Sequence, residues 1–193
     1  MPELPEVETI RRVLEPQIKG LTVTAVTVNR PEVTGHPTVE GFCQVLKGQT
    51  IGAVTRRGKF LSVLLDSSDY FVLHLRMTGC LLLTPADYPM EKHIHIVFYL
   101  SGGDELRFSD TRRFGRLWLF RKGERDTYSG MDKLRLEPFD EGLTADYLQQ
   151  RLGKRKRPSK ECLLDQSVIA GIGNIYSDEN LFAVKIYPAP ARQ

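Results

Sequence analysis

The run Ile94-His95-Ile96-Val97-Phe98-Tyr99-Leu100, then Ser101-Gly102-Gly103-Asp104, then Glu105-Leu106-Arg107-Phe108 reads as a β-hairpin. β-branched and aromatic side chains suit the pleated strand, and the glycine pair gives the backbone freedom that a tight turn demands. Outward from this hairpin, similar segments recur at 21–28, 49–55, 60–65, 70–75 and 117–120. That many short strands with tight turns predicts an antiparallel sandwich or open barrel. Residues 38–46 are expected to form a short helix between the first two strands.

Ahead of the strands, Pro2-Glu3-Leu4-Pro5-Glu6-Val7-Glu8-Thr9 reads as a helix start. Prolines are tolerated in the first turn, and glutamates complement the positive end of the helix dipole. Val7, Ile10, Leu14 and Ile18 recur at helical spacing as one buried stripe, and Gly20 ends the element. After about Gly123 the pattern turns helical, with helices expected at 143–152, 160–166 and 174–185, the last two separated by Gly171-Ile172-Gly173. The polar, turn-rich stretch 126–139 places a boundary between a domain at 1–130 and an incomplete helical domain at 131–193. The expected class is α+β: an N-terminal helix on an antiparallel β-sandwich, followed by a mainly helical segment.

The 193 residues carry a net charge of +3. The basic residues are clustered: Arg56, Arg57 and Lys59; Arg112, Arg113 and Arg116; and Lys154-Arg155-Lys156-Arg157 followed by Lys160. One such cluster is an ordinary solvated face, whereas three flanked by glycine or aromatic residues suit a nucleic-acid partner. The three cysteines, Cys43, Cys80 and Cys162, form no CxxC pair, so no metal site is expected and the thiols should be free in a reducing compartment. The acidic opening lacks the apolar core of a secretory signal, and no apolar run reaches membrane-spanning length. A soluble, intracellular protein with no membrane partner is expected.

Alone, Pro2 signals only a helix start. If Met1 is trimmed, however, it presents a secondary amine. An α-amino group titrates near 7.7–8.0, far below the roughly 10.4 of a lysine, so a useful fraction is neutral at pH 7. A neutral amine can attack an electrophilic carbon and hold it as an iminium, which acidifies adjacent C–H bonds. Glu3, its neighbour, can move protons.

Five motifs in order give Pro2 its context: Pro2 to Thr9 with Arg11-Arg12; Arg56-Arg57-Gly58-Lys59-Phe60-Leu61; His74-Leu75-Arg76-Met77-Thr78-Gly79; Asp110-Thr111-Arg112-Arg113-Phe114-Gly115; and Leu163-Leu164-Asp165-Gln166 through Ala170-Gly171-Ile172-Gly173-Asn174-Ile175-Tyr176 to Phe182. Together they resemble the formamidopyrimidine-DNA glycosylase family, and the first octet fits its purine-lesion branch. The last motif is similar to the start of the family's helix–two-turn–helix DNA-binding element.

The resemblance implies a base-excision repair enzyme, a DNA glycosylase and abasic-site lyase that removes oxidised purines (8-oxoguanine, formamidopyrimidines) from double-stranded DNA with damaged bases or abasic sites and cuts the strand by β,δ-elimination, expected in the cytoplasm with the nucleoid and as a monomer. It implies that Pro2 attacks C1′, Glu3 shuttles protons, Glu6 shapes the pocket, and Lys59 contacts phosphates and donates a proton. Met77, Arg112 and Phe114 are implied to fill the space left by a flipped nucleotide, with Arg112 facing the widowed base. His93, Arg155, Lys156 and Lys160 are implied to contact DNA. Gly173 is implied to offer a backbone N–H to a phosphate, with Asn174 as the helix cap.

The resemblance also implies a longer chain. Family members continue into a lesion-covering loop and a four-cysteine zinc finger, so the sequence is expected to be a C-terminally truncated relative or a fragment, with no cofactor of its own. Within the matched part, Ile186-Tyr187-Pro188 and Ser159-Lys160 depart slightly from the family pattern. A damaged-DNA-binding module without catalysis is the main alternative. An unrelated β-rich enzyme with a proline base is the third, and binding to DNA that ignores salt would favour it.

Overall fold

The computed structural model describes residues 1–153 and 157–188. Two sheets face each other. One has the order β1 (Val23–Val28), β7 (Ile94–Leu100), β8 (Asp104–Asp110), β6 (Gly79–Pro85). The other runs β2 (Thr34–His36), β9 (Arg116–Phe120), β5 (Tyr70–His74), β4 (Phe60–Leu65), β3 (Ile51–Arg57). The α+β expectation holds, and the opening hairpin is β7–β8: Tyr99 faces Glu105, Phe98 faces Leu106, and Gly103 turns the chain at φ +87°.

Two strands escaped the sequence. β6 is a half-buried edge strand whose run Cys80-Leu81-Leu82-Leu83 has no period of two; it becomes a strand by pairing with β8, Leu81 against Phe108 and Leu83 against Leu106. β2 has three residues and joins β9 in parallel. Neither leaves a local signal, because both are created by tertiary pairing.

The helix α1 (Leu4–Ile18) starts later than the prolines suggested: Glu3 is its N-cap, so Pro2 precedes the helix. Its stripe of Val7, Leu14 and Ile18 is buried on the second sheet, against β3 and β4, and α2 (Val39–Leu46) lies near β1 and β2. Phe42 of α2 meets Phe71 of one sheet and Phe98 of the other, and the latter two rings stack at 5.3 Å. The core therefore ties both sheets to both helices. Burying side chains of this size contributes roughly 1.5–3 kcal/mol each.

The helices α3 (Ala145–Leu152), α4 (Ser159–Leu164) and α5 (Asn174–Ala183) surround a separate small core of Val168, Ile169 and Ile172. Between the two bodies of core, Met131 and Leu134 cover Phe60, Val72, Trp118 and Phe120 on the outer face of the second sheet. The turn before α3 is thus packed onto the sandwich rather than left as a free tether. Among the described residues, no helix is long and apolar enough to cross a membrane.

A charge network joins α1 to this turn. Glu8 binds Arg11 at 2.8 Å, Arg12 at 2.7 Å and Arg56 at 3.1 Å, and Arg56 continues to Glu137 at 2.7 Å. The Arg11 hydrogen bond is the main reason the Glu8 carboxyl is held down at about 2; partial burial opposes it, and Arg12 and Arg56 add to the lowering. A depressed acid stabilises the fold above its ordinary pKa and loses that contribution as pH falls through its folded value. Each such half-exposed pair is worth up to about 1 kcal/mol after screening. Glu8→Gln should therefore lower Tm by about 2–4 °C at neutral pH. The gap between the two melting curves should close as pH falls from about 4.5 to about 2. A gap independent of pH would show that the carboxylate charge contributes nothing.

Candidate active site

Two helix starts meet at one point. The N–H of Leu4, opening α1, donates to the carbonyl of Gly171 at 3.1 Å. The Glu3 carboxylate, 1% exposed, accepts the N–H groups of Gly173 at 2.7 Å, Ile175 at 2.8 Å and Tyr176 at 3.2 Å. A helix leaves its first N–H groups without intrahelical partners, and its dipole favours negative charge there. Glu3 satisfies both demands of α5 from 170 residues away in sequence.

The glycines make this approach possible. A Cβ on Gly173 would lie 2.4 Å from Cδ of Glu3, and one on Gly171, itself at φ +96°, would lie 2.5 Å from Cδ1 of Leu4. The expected cap is corrected here: Gly173 is the N-cap and Asn174 the first residue of α5, exposed, with no side-chain cap. The Gly173 N–H expected to face a phosphate instead donates to Glu3. An acidic side chain from the chain's own start has taken the positive end of the helix.

Glu6 adds a second brace. One oxygen accepts the Glu3 N–H at 2.8 Å and the other accepts the Tyr176 hydroxyl at 3.2 Å. The peptide immediately after Pro2 is thus held between α1 and α5.

Lys59 sits on the β3–β4 turn, 7% exposed. Gly58 makes the turn at φ +56°, and its N–H donates to Glu137 at 2.6 Å. Arg56 grips the same Glu137 with two nitrogens at 2.9 and 2.7 Å and returns to the Gly58 carbonyl at 3.0 Å. Burial lowers the Lys59 ammonium below its usual pKa, and the nearby charge of Glu3 partly restores it. Desolvation with one acidic partner makes a lysine that gives up its proton more readily than a surface one.

A cleft of about 240 Å³ opens between these parts, lined by Met1, Lys59, His74, Arg76, Gln166 and Asn174 among others. Burial first, then the charges of Arg76 and Lys59, pull the His74 imidazole down to about 3, so the ring is neutral. Its Nδ1 accepts the Arg76 N–H at 3.0 Å, which puts the ring proton on Nε2. Gln166 braces the floor by donating to the carbonyls of Leu164 at 2.9 Å and Ile172 at 2.8 Å, and by accepting the Gly171 N–H at 2.8 Å.

A second group stands on the surface. The Arg112 guanidinium lies 3.1 Å from the Met77 sulfur and 4.9 Å from the centre of the Phe114 ring. Met77 is 45% and Phe114 47% exposed, so neither is a core residue. His93 is half-buried just before β7, and Lys160, on α4, pairs with Asp178 of α5 at 2.7 Å. Arg155 and Lys156 lie outside the described residues.

Among the described residues, no group of three or more His, Cys, Asp or Glu side chains could hold a metal ion. Cys43, Cys80 and Cys162 sit on α2, β6 and α4 and are unpaired. Among the described residues, the three thiols lie on separate elements and make no structural zinc site.

Residues 1–117 match the formamidopyrimidine-DNA glycosylase N-terminal domain, and residues 134–193 match the formamidopyrimidine-DNA glycosylase H2TH domain. This chain belongs to the formamidopyrimidine-DNA glycosylase family. It is 49% identical to the formamidopyrimidine-DNA glycosylase of Moorella thermoacetica over 97% of its length and 69% of that protein's. It is 47% identical to that of Bacillus licheniformis over 97% of its own length and 68% of the relative's. Among solved structures, it superposes on Lactococcus lactis Fpg in complex with abasic-site DNA with a TM-score of 0.88 at 33% identity, covering 97% of this chain and 70% of that one. It superposes equally well, at 0.88 and 33%, on the same organism's G226P variant bound to Fapy-dG DNA, covering 98% and 69%.

For a formamidopyrimidine-DNA glycosylase chain, then, the structure brings Glu3, Glu6, Gly173, Asn174 and Lys59 to one locality around the N-terminus, and Met77, Arg112 and Phe114 to another. Sequence reasoning missed Glu137, and gave no site role to His74, Arg76, Gln166 or Tyr176, which stand inside quoted motifs. Glu137 acts on the Gly58 N–H, 79 residues away in the chain, and Tyr176 on the Glu6 carboxylate, 170 residues away, whereas Gln166 binds backbone groups within six residues of itself. His74 and Arg76 stood inside a quoted motif, and their flanking of Met77 was the signal that could have exposed them.

Proposed function

We propose that this chain is a bifunctional DNA glycosylase and abasic-site lyase of base-excision repair, removing oxidised purines such as 8-oxoguanine and formamidopyrimidines from double-stranded DNA. The observation that carries the proposal is the placement of Glu3: a buried carboxylate fixed on three backbone N–H groups, next to Pro2 and beside a buried lysine. The family membership and the DNA-bound relatives support it.

Removal of Met1 frees the Pro2 nitrogen at the cleft that Met1 now lines. That nitrogen attacks C1′ of a flipped nucleotide, and the glycosidic bond breaks with its electron pair going to the base, which takes up a proton. Opening of the sugar places a proton on O4′ and leaves an iminium between nitrogen and C1′. Glu3, the neighbour of Pro2 in the chain, moves these protons. Loss of a C2′ proton then expels the 3′-phosphate (β-elimination), and a second elimination expels the 5′-phosphate. Lys59, made a readier donor by burial, serves the leaving groups and the adjacent phosphates.

Residues 1–130 act as the catalytic domain and 131–193 as the DNA-binding part, in the cytoplasm, on the chromosome and as a monomer. Met77, Arg112 and Phe114 fill the vacated space in the duplex, and His93, Arg155, Lys156, Lys160 and Asn174 contact the DNA, while the Gly173 N–H stays with Glu3. Borohydride reduction of the mature chain with duplex DNA bearing 8-oxoguanine or an abasic site tests the reading. A covalent complex with both is expected. Salt-sensitive binding without any trapped complex would leave a damage-binding module and overturn catalysis.

A further inference from the structure

The surface group of Met77, Arg112 and Phe114 is carried by two turns from different parts of the chain, one between β5 and β6 and the other between β8 and β9. A single buried carboxylate joins them. Asp110, at the end of β8, has no exposed surface. Its Oδ1 accepts the Thr78 hydroxyl from the first turn and the Arg112 N–H from the second, the latter at 3.1 Å. Its Oδ2 accepts the Gly115 N–H at 2.7 Å. The Arg112 N–H also reaches the Thr78 hydroxyl oxygen at 3.1 Å, closing the link between the turns.

The backbone of Asp110 is fixed as well. Its N–H donates to the carbonyl of His93 at 3.0 Å, and its carbonyl faces the His95 ring at 2.6 Å and the Arg113 N–H at 3.3 Å. Both turns hold a non-glycine residue in the left-handed region, Arg76 at φ +57° and Arg113 at φ +59°. Such conformations persist where the surroundings over-determine them. Burial would raise the Asp110 carboxyl, yet the donors from Thr78, Gly115, Arg112 and Arg113 hold it below its usual value, so the carboxylate is charged.

We propose that Asp110 is a positioning residue that preassembles Met77, Arg112 and Phe114 as one rigid wedge, so that the duplex is opened by a preformed unit. The proposal rests on the DNA-repair reading above. A side chain ordered before binding does not spend interaction energy on being ordered during it, and a charged acceptor shared by both turns supplies that order. The wedge matters only where a nucleotide, with or without its base, is turned out of a duplex and the space it leaves must be filled. An abasic site in single-stranded DNA has no partner strand to invade.

The test compares borohydride trapping on abasic duplex and on the same abasic strand alone, using wild type, Thr78→Val, Thr78→Ser and Asp110→Asn. Asp110→Asn also costs stability, so Thr78→Val is the discriminating variant. Thr78→Val should slow duplex trapping about tenfold, the scale of one hydrogen bond to a charged group, while single-strand trapping stays within about twofold. Thr78→Ser should restore the duplex rate. Equal losses on both substrates, no loss on either, or a wild type that distinguishes the substrates completely by failing on the single strand would each overturn the proposal. If wild type traps neither substrate, the repair reading itself has failed, and the failure is recognisable as such because it does not depend on the variants.

Discussion

A chain that keeps Met1, or whose mature Pro2 nitrogen is acetylated, will form no borohydride-trapped complex with abasic-site DNA. Its strand cleavage will fall by at least ~10³-fold, about 4 kcal/mol of lost transition-state stabilisation. An amide nitrogen has no available lone pair, so neither C–N bond formation nor the iminium that acidifies C2′ can follow. DNA affinity should change little by comparison, because the remaining contacts are untouched. Intact mass reports the state of the terminus, and a denaturing gel reports the complex. Undiminished cleavage by a chain verified as blocked would exclude the amine as nucleophile. Retained cleavage with a trapped complex would move the nucleophile to another amine, which is Lys59 in the acetylated chain and either Lys59 or the Met1 α-amine at the same cleft in the unprocessed one.

Glu3→Gln will carry the second-largest effect, lowering the glycosylase step by roughly 10²–10⁴-fold, the range of a lost general acid or base. Geometry adds to the chemistry. The carboxylate accepts three N–H groups with two oxygens, and a carboxamide has only one oxygen; its NH₂ would face a backbone N–H. At least one amide at the start of α5 is then left buried without a partner, at a cost of about 1–3 kcal/mol. Single-turnover base release and thermal melting separate the two parts. A variant that melts lower but releases base at the normal rate would reduce Glu3 to a structural cap. Gly173 leaves no slack for compensation, since any side chain there would meet the Glu3 carboxyl group.

The sequence exposed the parts whose signals are local. The β7–β8 hairpin, the stripe on α1 and the glycine-flanked start of α5 follow from spacing and turn chemistry within a few residues of each other. Pro2, Glu3 and Lys59 are legible as candidates because they sit in short motifs. What stayed hidden depends on distant pairing. The leucine run of β6 has no face until β8 supplies one. Asn174 looked like a cap because its side chain is of a capping type, and nothing nearby in sequence said that Glu3 would reach the helix first. Glu137 stood in an unremarkable turn, with no mark that it holds the backbone of Gly58.

That glutamate has a wider consequence. Glu137 comes from the stretch leading into the helices, yet it sets the shape of the turn that presents Lys59, just as α5 sets the position of Glu3. Neither half of the chain owns the reactive centre. The seam between the family's two modules runs through it, where Glu137 holds Gly58 and Gly173 meets Glu3. Exchanging one module between relatives would preserve chemistry only if the seam, Glu137 with Gly58 and Gly173 with Glu3, travelled intact.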